Sequence, residues 1–404
     1  MKLHSAQPYW LMKNGFLHEY PSLPKDLETD IVILGGGITG ALIAWHLTAV
    51  GKQVILLDGR HIGIGSTCAS TAMLQYEIDT PLYKLQDYVG LKNAERSYRL
   101  CIEAIDQLDA LIRKLKIKAD FERKPSLYYA SKPADLPMLR KEFAARQKAG
   151  INVQWMDQKD IKKKFGFDKP AAIFSPDNSG QLDAYALTHG LLQAAMAKGL
   201  QVFDKTRIES ISHQKGGLTL ESIYGTKVKA KTLIMANGYE VTKYIPPGYI
   251  DLNSTYALVT EPYTQKNLWE QDSLIWETAT PYLYMRTTKD RRILIGGKDE
   301  PFKDPQKRDQ LIDHKTKLLV NAFEKLFPQL GPLRVDFAWA GTFAETPDGL
   351  PYIGQLPQHP NTWFALGFGG NGILFSQIAA IILRDRICKE PNADIKIFDF
   401  ERIK

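Results

Sequence analysis

The run Gly35-Gly36-Gly37-Ile38-Thr39-Gly40 constrains this chain more than any other stretch. Its G-x-G-x-x-G spacing is a weak pattern alone, and the setting makes it a strong one. Residues 30–34 (DIVIL) read as a short buried strand, 38–50 carry apolar residues at helical spacing, and 53–58 read as a second buried strand ending in Asp58. Strand, glycine turn, helix and strand make a βαβ unit that binds a dinucleotide. Gly35 permits the tight turn, Gly37 lets the backbone approach a pyrophosphate, and Gly40 lets the helix pack on the strand. Ile38 and Thr39 open the helix, whose free N–H groups face the phosphates. Asp58, with Gly59 and Arg60 beside it, is placed to accept hydrogen bonds from an adenosine ribose. An acid there disfavours a 2′-phosphate, which argues against NADP.

NAD and FAD both use this fold, and the next segment bears on the choice. His61 to Thr71 (HIGIGSTCAST) is small, hydroxylic and too long for a simple turn. It suits an extended loop along a long ligand, with Ser66, Thr67, Ala69, Ser70 and Thr71 offering amides and hydroxyls to phosphate or ring. A second glycine pattern, Gly367-Phe368-Gly369-Gly370-Asn371-Gly372, follows the strand-like TWFAL and opens the apolar helix ILFSQIAAIIL. The residues remaining to Lys404 leave no room for a second βαβ unit, and no acidic partner follows. The pattern reads as a helix N-terminus aimed at another part of the first ligand, able to stabilise the negative charge of a reduced flavin.

A length of 404 residues suggests about two domains. With 44% apolar and 24% charged residues, and no apolar run of the roughly 20 residues a membrane span needs, the expectation is an ordinary globular protein. Basic residues number 52 against 45 acidic, for a net charge of +7, yet they are interspersed. The one dense cluster, Lys162 to Lys164, lacks interleaved aromatics and reads as a solvated face, so no nucleic-acid partner is expected. Cys68, Cys101 and Cys388 are far apart with no CxxC, and the eight histidines form no metal-binding pair. No disulfide framework or metal is expected, and the thiols suit a reducing cytoplasm. The opening MKLHSAQPYW lacks the layout of a secretory signal. No G-x-S-x-G elbow and no P-loop occurs.

Farther along, helices are expected over 92–116, 134–149 and 184–198, and strands over 126–131, 201–203, 206–212, 217–223, 226–230 and 232–236. Residues 246–335 alternate aromatic and β-branched residues, as in YLYMRTT and RRILIGG, around one helix near 306–327. The chain closes on a strand at 362–366 and a helix over 372–386. Pro246-Pro247-Gly248 and 328–332 mark crossings between domains, so the nucleotide domain is assembled from separate pieces.

At the two glycine motifs the chain resembles the D-amino-acid-oxidase-like superfamily of FAD oxidoreductases, over nearly its whole length. The opening PYWLMKNGFLHEYPSLPKDLETDIVILGGGITG and the segment YLYMRTTKDRRILIGG look most like the γ-glutamylputrescine oxidase branch. WAGTFAETPDGLPYIG, followed by GFGGNGI, is similar to the superfamily's C-terminal flavin motif. The resemblance implies an α/β fold. On this reading a Rossmann-like FAD-binding domain is expected to take 1–120, 176–245 and 336–404, and an α+β substrate domain on an antiparallel sheet 121–175 and 246–335. It also implies that Ile208 contacts adenine through its backbone and that Ala236-Asn237-Gly238 passes near the cofactor. Gly341, Gly369, Gly370, Asn371, Gly372 and Ile373 would line the flavin.

Three departures from the family pattern matter. Gly341 to Glu345 holds no cysteine where sarcosine oxidases bond the flavin, so FAD is expected to be non-covalent. Phe343 stands where glycine oxidase places a carboxylate-binding arginine, which leaves Arg286 as the candidate clamp. The lysine that promotes oxygen reaction in sarcosine oxidases is replaced near Leu294, with Lys298 as the candidate substitute. Tyr256, Tyr282, Tyr284, Trp339 and Phe343 are candidates for an aromatic wall suited to a cation. The expected activity is oxidation of a small amine or amino acid, with oxygen or another acceptor taking the electrons. The alternatives are a flavin dehydrogenase of a 2-hydroxy acid or polyol phosphate, and a non-catalytic electron-transfer subunit.

Overall fold

Leu27–Leu34, Ile38–Thr48 and Val54–Leu57 form the expected βαβ unit in the computed structural model, which describes residues 1–265 and 268–402. The two strands pair in parallel, with Ile31 opposite Val54 and Leu34 opposite Leu57. Helices cover parallel strands on both faces, so the strands read as unbroken apolar runs. Val54–Leu57 is buried throughout. The sheet continues in the order Tyr352–Gly354, Thr362–Leu366, Lys227–Met235, Leu27–Leu34, Val54–Leu57 and Gln201–Phe203. Ile208–Gln214 and Gly217–Ser222 form a hairpin that pairs with the first half of Lys227–Met235.

The two strands expected at 226–230 and 232–236 are one, Lys227–Met235. Its first half alternates exposed and buried residues beside the hairpin, and its last three are buried. That change of environment, with no break in the backbone, made one strand look like two. The single helix expected near 306–327 is instead two, Pro305–Gln310 and Ile312–Leu326. Asp304 caps the first by accepting from the Gln306 and Lys307 N–H groups, and the two helices are separated by a turn at Leu311, which keeps right-handed dihedrals (φ −87°, ψ −8°).

The second sheet is mostly antiparallel. Its order is His4–Ala6, Val335–Glu345, Asp251–Thr260, Ile293–Glu300, Leu283–Thr287, Leu274–Glu277, Glu122–Tyr129, Ala171–Gln181 and Met73–Gln75, with Gln154–Asp157 also pairing Ala171–Gln181. The chain crosses between the sheets more often than the expected domain limits allow. His4–Ala6, Met73–Gln75 and nearly all of Val335–Glu345 fall in segments assigned to the nucleotide domain, yet they pair within this second sheet. Ala171–Gln181 straddles the expected cut at 175/176.

Beneath the second sheet Arg146 is wholly buried between two carboxylates. Its Nε donates to Glu142 at 2.7 Å, and its Nη1 lies 3.4 Å from Glu77. The Ser126 hydroxyl also donates to Glu77. Removing the only cation of such a group leaves uncompensated charge in low dielectric. Arg146→Met is therefore expected to lower unfolding free energy by about 3–5 kcal/mol, read as a drop in the urea midpoint.

Candidate active site

Three glycines of the first turn have almost no room for a side chain. A Cβ on Gly35, whose φ is +118°, would lie 2.3 Å from the Ala236 carbonyl oxygen, and one on Gly40 would lie 1.9 Å from the Gly35 oxygen. A Cβ on Gly37 would lie 2.9 Å from Thr67 Oγ1, which accepts the Ile38 N–H at 3.0 Å. The turn thus presses the helix N-terminus against the loop that follows Asp58. That loop contains a short helix, Ser66–Ala69, where an extended chain was expected. Two tryptophans pin it: Trp10 Nε1 donates to the Ser70 carbonyl at 2.6 Å and Trp339 Nε1 to that of Ala69 at 2.9 Å.

Asp58 accepts the Gly36 and Arg60 N–H groups, each at 2.7 Å. Burial raises its pKa, and these two donors oppose the rise. Around it gather Arg60, Arg207, Glu240 and Lys243, with Arg60 Nη2 at 2.9 Å from Glu240. From here a cavity of about 460 Å³ runs under the loop to the second glycine turn. Buried atoms of six of its lining residues have no partner: Ser66 Oγ, Gln75 Nε2, Glu77 Oε2, Asn237 Oδ1, Trp276 Nε1 and Asp299 Oδ1. Unpaired polar atoms along a cleft are what a long polar ligand would satisfy.

At the far end Gly369–Asn371 leads into the helix Gly372–Ile387. Thr39 Oγ1 and Ser376 Oγ are 2.8 Å apart, so the helices of the two glycine motifs are tied at their starts. Asn371 Nδ2 donates to the carbonyls of Gln75 and Glu77, both at 2.8 Å. Asp79 opens on the cavity, and it accepts the Gly370 N–H at 2.9 Å and the Tyr282 hydroxyl at 3.2 Å. Trp276 stacks on Tyr128 at 3.9 Å and meets Tyr282 edge-on at 6.0 Å. The Tyr284 ring lies across Gly296, where a Cβ would come within 2.2 Å of it. Burial is the main cause that pushes Asp299 up to about 7, with the Asp79 and Glu345 carboxylates adding to it.

Of the residues expected to hold the cofactor, all but Gly40 line this one cavity, from Gly35, Gly37, Ile38, Thr39 and Asp58 to Gly341 and Ile373. Gly40 acts through packing. Tyr284 and Phe343 line it from the expected catalytic set, as do Tyr282 and Trp339. Three expected residues do not. Tyr256 lies between Thr255 and Ala257, which face the cavity, so strand alternation turns it to the other side, beneath the Lys315 ammonium. Arg286 is two residues beyond Tyr284, past the end of the cavity. There it is buried against Trp10, donates to the Leu182 carbonyl at 3.1 Å, and is pushed down to about 10 by burial. It is not placed to clamp a carboxylate in this cavity. Lys298 is also absent from the lining, and its neighbour Asp299 is present.

Sequence reasoning passed over Gln75, Glu77, Asp79, Trp276 and Asp299. The first three carried a usable signal. Leu74, Tyr76 and Ile78 are fully buried, while Gln75, Glu77 and Asp79 between them face the cavity, an alternation visible in MLQYEID. Among the described residues no helix is long and apolar enough to cross a membrane.

A profile of FAD dependent oxidoreductases matches residues 30–386. The chain is 24% identical over 395 residues to the probable oxidoreductase OrdL of Haemophilus influenzae, covering 96% of this chain and 88% of that protein. It is 22% identical over 410 residues to the gamma-glutamylputrescine oxidoreductase of Escherichia coli, covering 99% and 92%. The crystal structure of glycine oxidase from Geobacillus kaustophilus matches with a TM-score of 0.76 at 20% identity, over 91% of this chain and 96% of that one. The glycine turns, Asp58 and the unpaired polar atoms fit FAD. Gly37→Val is expected to keep its far-ultraviolet circular dichroism and to bind FAD at least about tenfold more weakly, measured by fluorescence titration of the stripped protein.

Proposed function

Because this chain belongs to the family of FAD dependent oxidoreductases, we propose that it oxidises the C–N bond of a small amine or amino acid. One observation carries this reading. The titratable side chains lining the end of the cavity at the second glycine turn are Glu77, Asp79 and Asp299 and the phenols of Tyr282 and Tyr284, whereas Arg60, Arg207 and Lys243 lie at the Asp58 end. Acids and electron-rich rings attract an ammonium group. A 2-hydroxy acid or a polyol phosphate would bring its anion to the same carboxylates.

Within this reading, the amides of the Gly35–Gly40 turn and the hydroxyls of Ser66 and Thr67 hold the pyrophosphate, and Asp58 holds the ribose. Gly341, Phe343 and Gly369 to Ile373 receive the ring system. FAD supplies a two-electron acceptor when bound. The protein supplies orientation and exclusion of water, and Trp276, Tyr282, Tyr284, Trp339 and Phe343 form the wall that does both. The product imine hydrolyses to a carbonyl compound and an amine or ammonia, and the electrons pass to oxygen or another acceptor. No cysteine lines the cavity among the described residues, which supports non-covalent FAD.

The test is anaerobic mixing of the FAD-loaded protein with panels of amines, amino acids and 2-hydroxy acids, followed by oxygen. At least one amine is expected to bleach the flavin, and amines lacking a carboxylate near the reacting carbon to do so fastest. Bleaching by a hydroxy acid alone would overturn the proposal.

A further inference from the structure

Strands Asp251–Thr260 and Ile293–Glu300 run antiparallel in regular register from Val259 opposite Leu294 to Tyr256 opposite Gly297. The register then slips, and Ser254 faces Glu300. Two residues, Lys298 and Asp299, therefore stand against the single residue Thr255. This is a β-bulge, and the chain makes it with Gly297 at φ +134° and Lys298 at φ +60°. A left-handed lysine is costly where glycine would be easy, so the bulge is a feature the surrounding strands impose. It brings Asp299 into the cavity and leaves Lys298 out of it. The Lys298 carbonyl accepts from Lys315 Nζ at 2.8 Å, which fixes the kink from behind.

Asp299 is the least committed acid of that wall. Asp79 is held by Gly370 and Tyr282, and Glu77 carries the Arg146 cation and the Ser126 hydroxyl on Oε1, its Oε2 having no partner. The Thr255 hydroxyl beside Asp299 offsets part of the rise that burial causes in the acid's pKa, and Asp299 Oδ1 is buried with no partner. Trp276, only 6% exposed, lines the same cavity with its Nε1 also unpartnered. The charged and titratable groups around Asp299 are the carboxylates of Asp79 and Glu345, the Lys315 ammonium, and the phenols of Tyr256, Tyr282 and Tyr284. Lys315 is committed to Glu300, at 2.5 Å. The one cation in the group therefore has a partner of its own.

We propose that the Asp299 carboxylate, carried into the cavity by the bulge, receives the substrate's ammonium group and takes a proton from it. This assignment rests on the amine-oxidising reading above. In the step an N–H bond of the ammonium breaks and an O–H bond forms on Asp299. The substrate becomes a neutral amine, the carboxylate becomes a carboxylic acid, and no electrons move. An acid titrating near the working pH suits this exchange, since its basicity is closer to an amine's than an ordinary carboxylate's is.

The experiment compares FAD-loaded wild type, Asp299→Asn and Asp299→Glu. Binding of n-butyltrimethylammonium, a cation that cannot be deprotonated, is followed by calorimetry between about pH 5.5 and pH 8.5, with n-butanol as the neutral control. Wild type is expected to bind the cation about tenfold or more tightly as Asp299 ionises. Asp299→Asn is expected to bind weakly at every pH, Asp299→Glu to recover most of the affinity, and butanol to bind all three alike. With the best amine of the panel, anaerobic bleaching by Asp299→Asn is expected to fall at least about tenfold and to recover at high pH, where free amine is present in solution. A raised carboxylate pKa penalises the folded state increasingly as pH climbs from the unfolded value through about 7. Asp299→Asn is accordingly expected to melt above wild type at pH 8.5, by a margin that shrinks toward pH 5.5, which also reports that the variant folds. Cation binding that ignores pH, or is unchanged in Asp299→Asn, would overturn the assignment. If amines still bleach wild type, only the role of Asp299 fails; if hydroxy acids alone do so, the reading of the whole cavity fails.

Discussion

The structure depends on how closely one strand, one turn and one helix approach each other. The Gly35 carbonyl sits where a Cβ of Gly40 would be, and the Ala236 carbonyl sits where a Cβ of Gly35 would be. This contact sets the helix N-terminus against the loop after Asp58 and brings Lys227–Met235 alongside Leu27–Leu34. It also lets the helix Ile38–Thr48 meet Gly372–Ile387 through Thr39 and Ser376. Two glycine turns more than 300 residues apart in sequence thereby bound one cavity. A side chain at Gly40 would separate them, and the site would be lost along with the turn.

The cavity is polarised along its length. Where the first turn presents amides and Asp58, the lining mixes both signs, with Arg60, Arg207 and Lys243 beside Asp58 and Glu240 and Arg60 paired to Glu240. That balance suits a ligand with phosphates at one point and hydroxyls at another. At the second turn carboxylates and phenols prevail. Burial makes each carboxylate there expensive to ionise, which is visible in the raised pKa of Glu77, Asp79 and Asp299, and at Asp299 the Asp79 and Glu345 carboxylates add to it. A cation entering the cavity offsets that cost, so these acids favour binding of an amine.

Much of this was legible in the sequence because it depends on local rules. The glycine spacing, the buried strands and the terminal acid are dictated within about 30 residues of chain, and the structure reproduces them. That the second motif lines the same cavity follows from the family resemblance, since no local rule joins turns so far apart in sequence. The errors lie where a side chain's direction depends on register. Arg286 shares a strand face with Tyr284, yet two residues of rise carry it beyond the cavity and under Trp10. Tyr256 was assigned by residue type, and its parity turns it to the other side of the sheet. Lys298 and Asp299 exchange roles through a bulge that no periodicity reveals, because a bulge is a mismatch between two strands and belongs to neither sequence alone. The strand exchange between sheets was hidden for a similar reason, since His4–Ala6 is too short to read without its partner Val335–Glu345.

The central claim is that FAD and a cationic amine share this cavity, with the amine at the acidic end. The most direct measurement is a crystal structure of the FAD-loaded protein soaked with n-butyltrimethylammonium. The account expects the cation's headgroup among Asp79, Asp299, Tyr282 and Tyr284, with the pyrophosphate at the Gly35–Gly40 turn. A headgroup elsewhere, or an acidic end filled by the cofactor itself with no space left for a ligand, would contradict it.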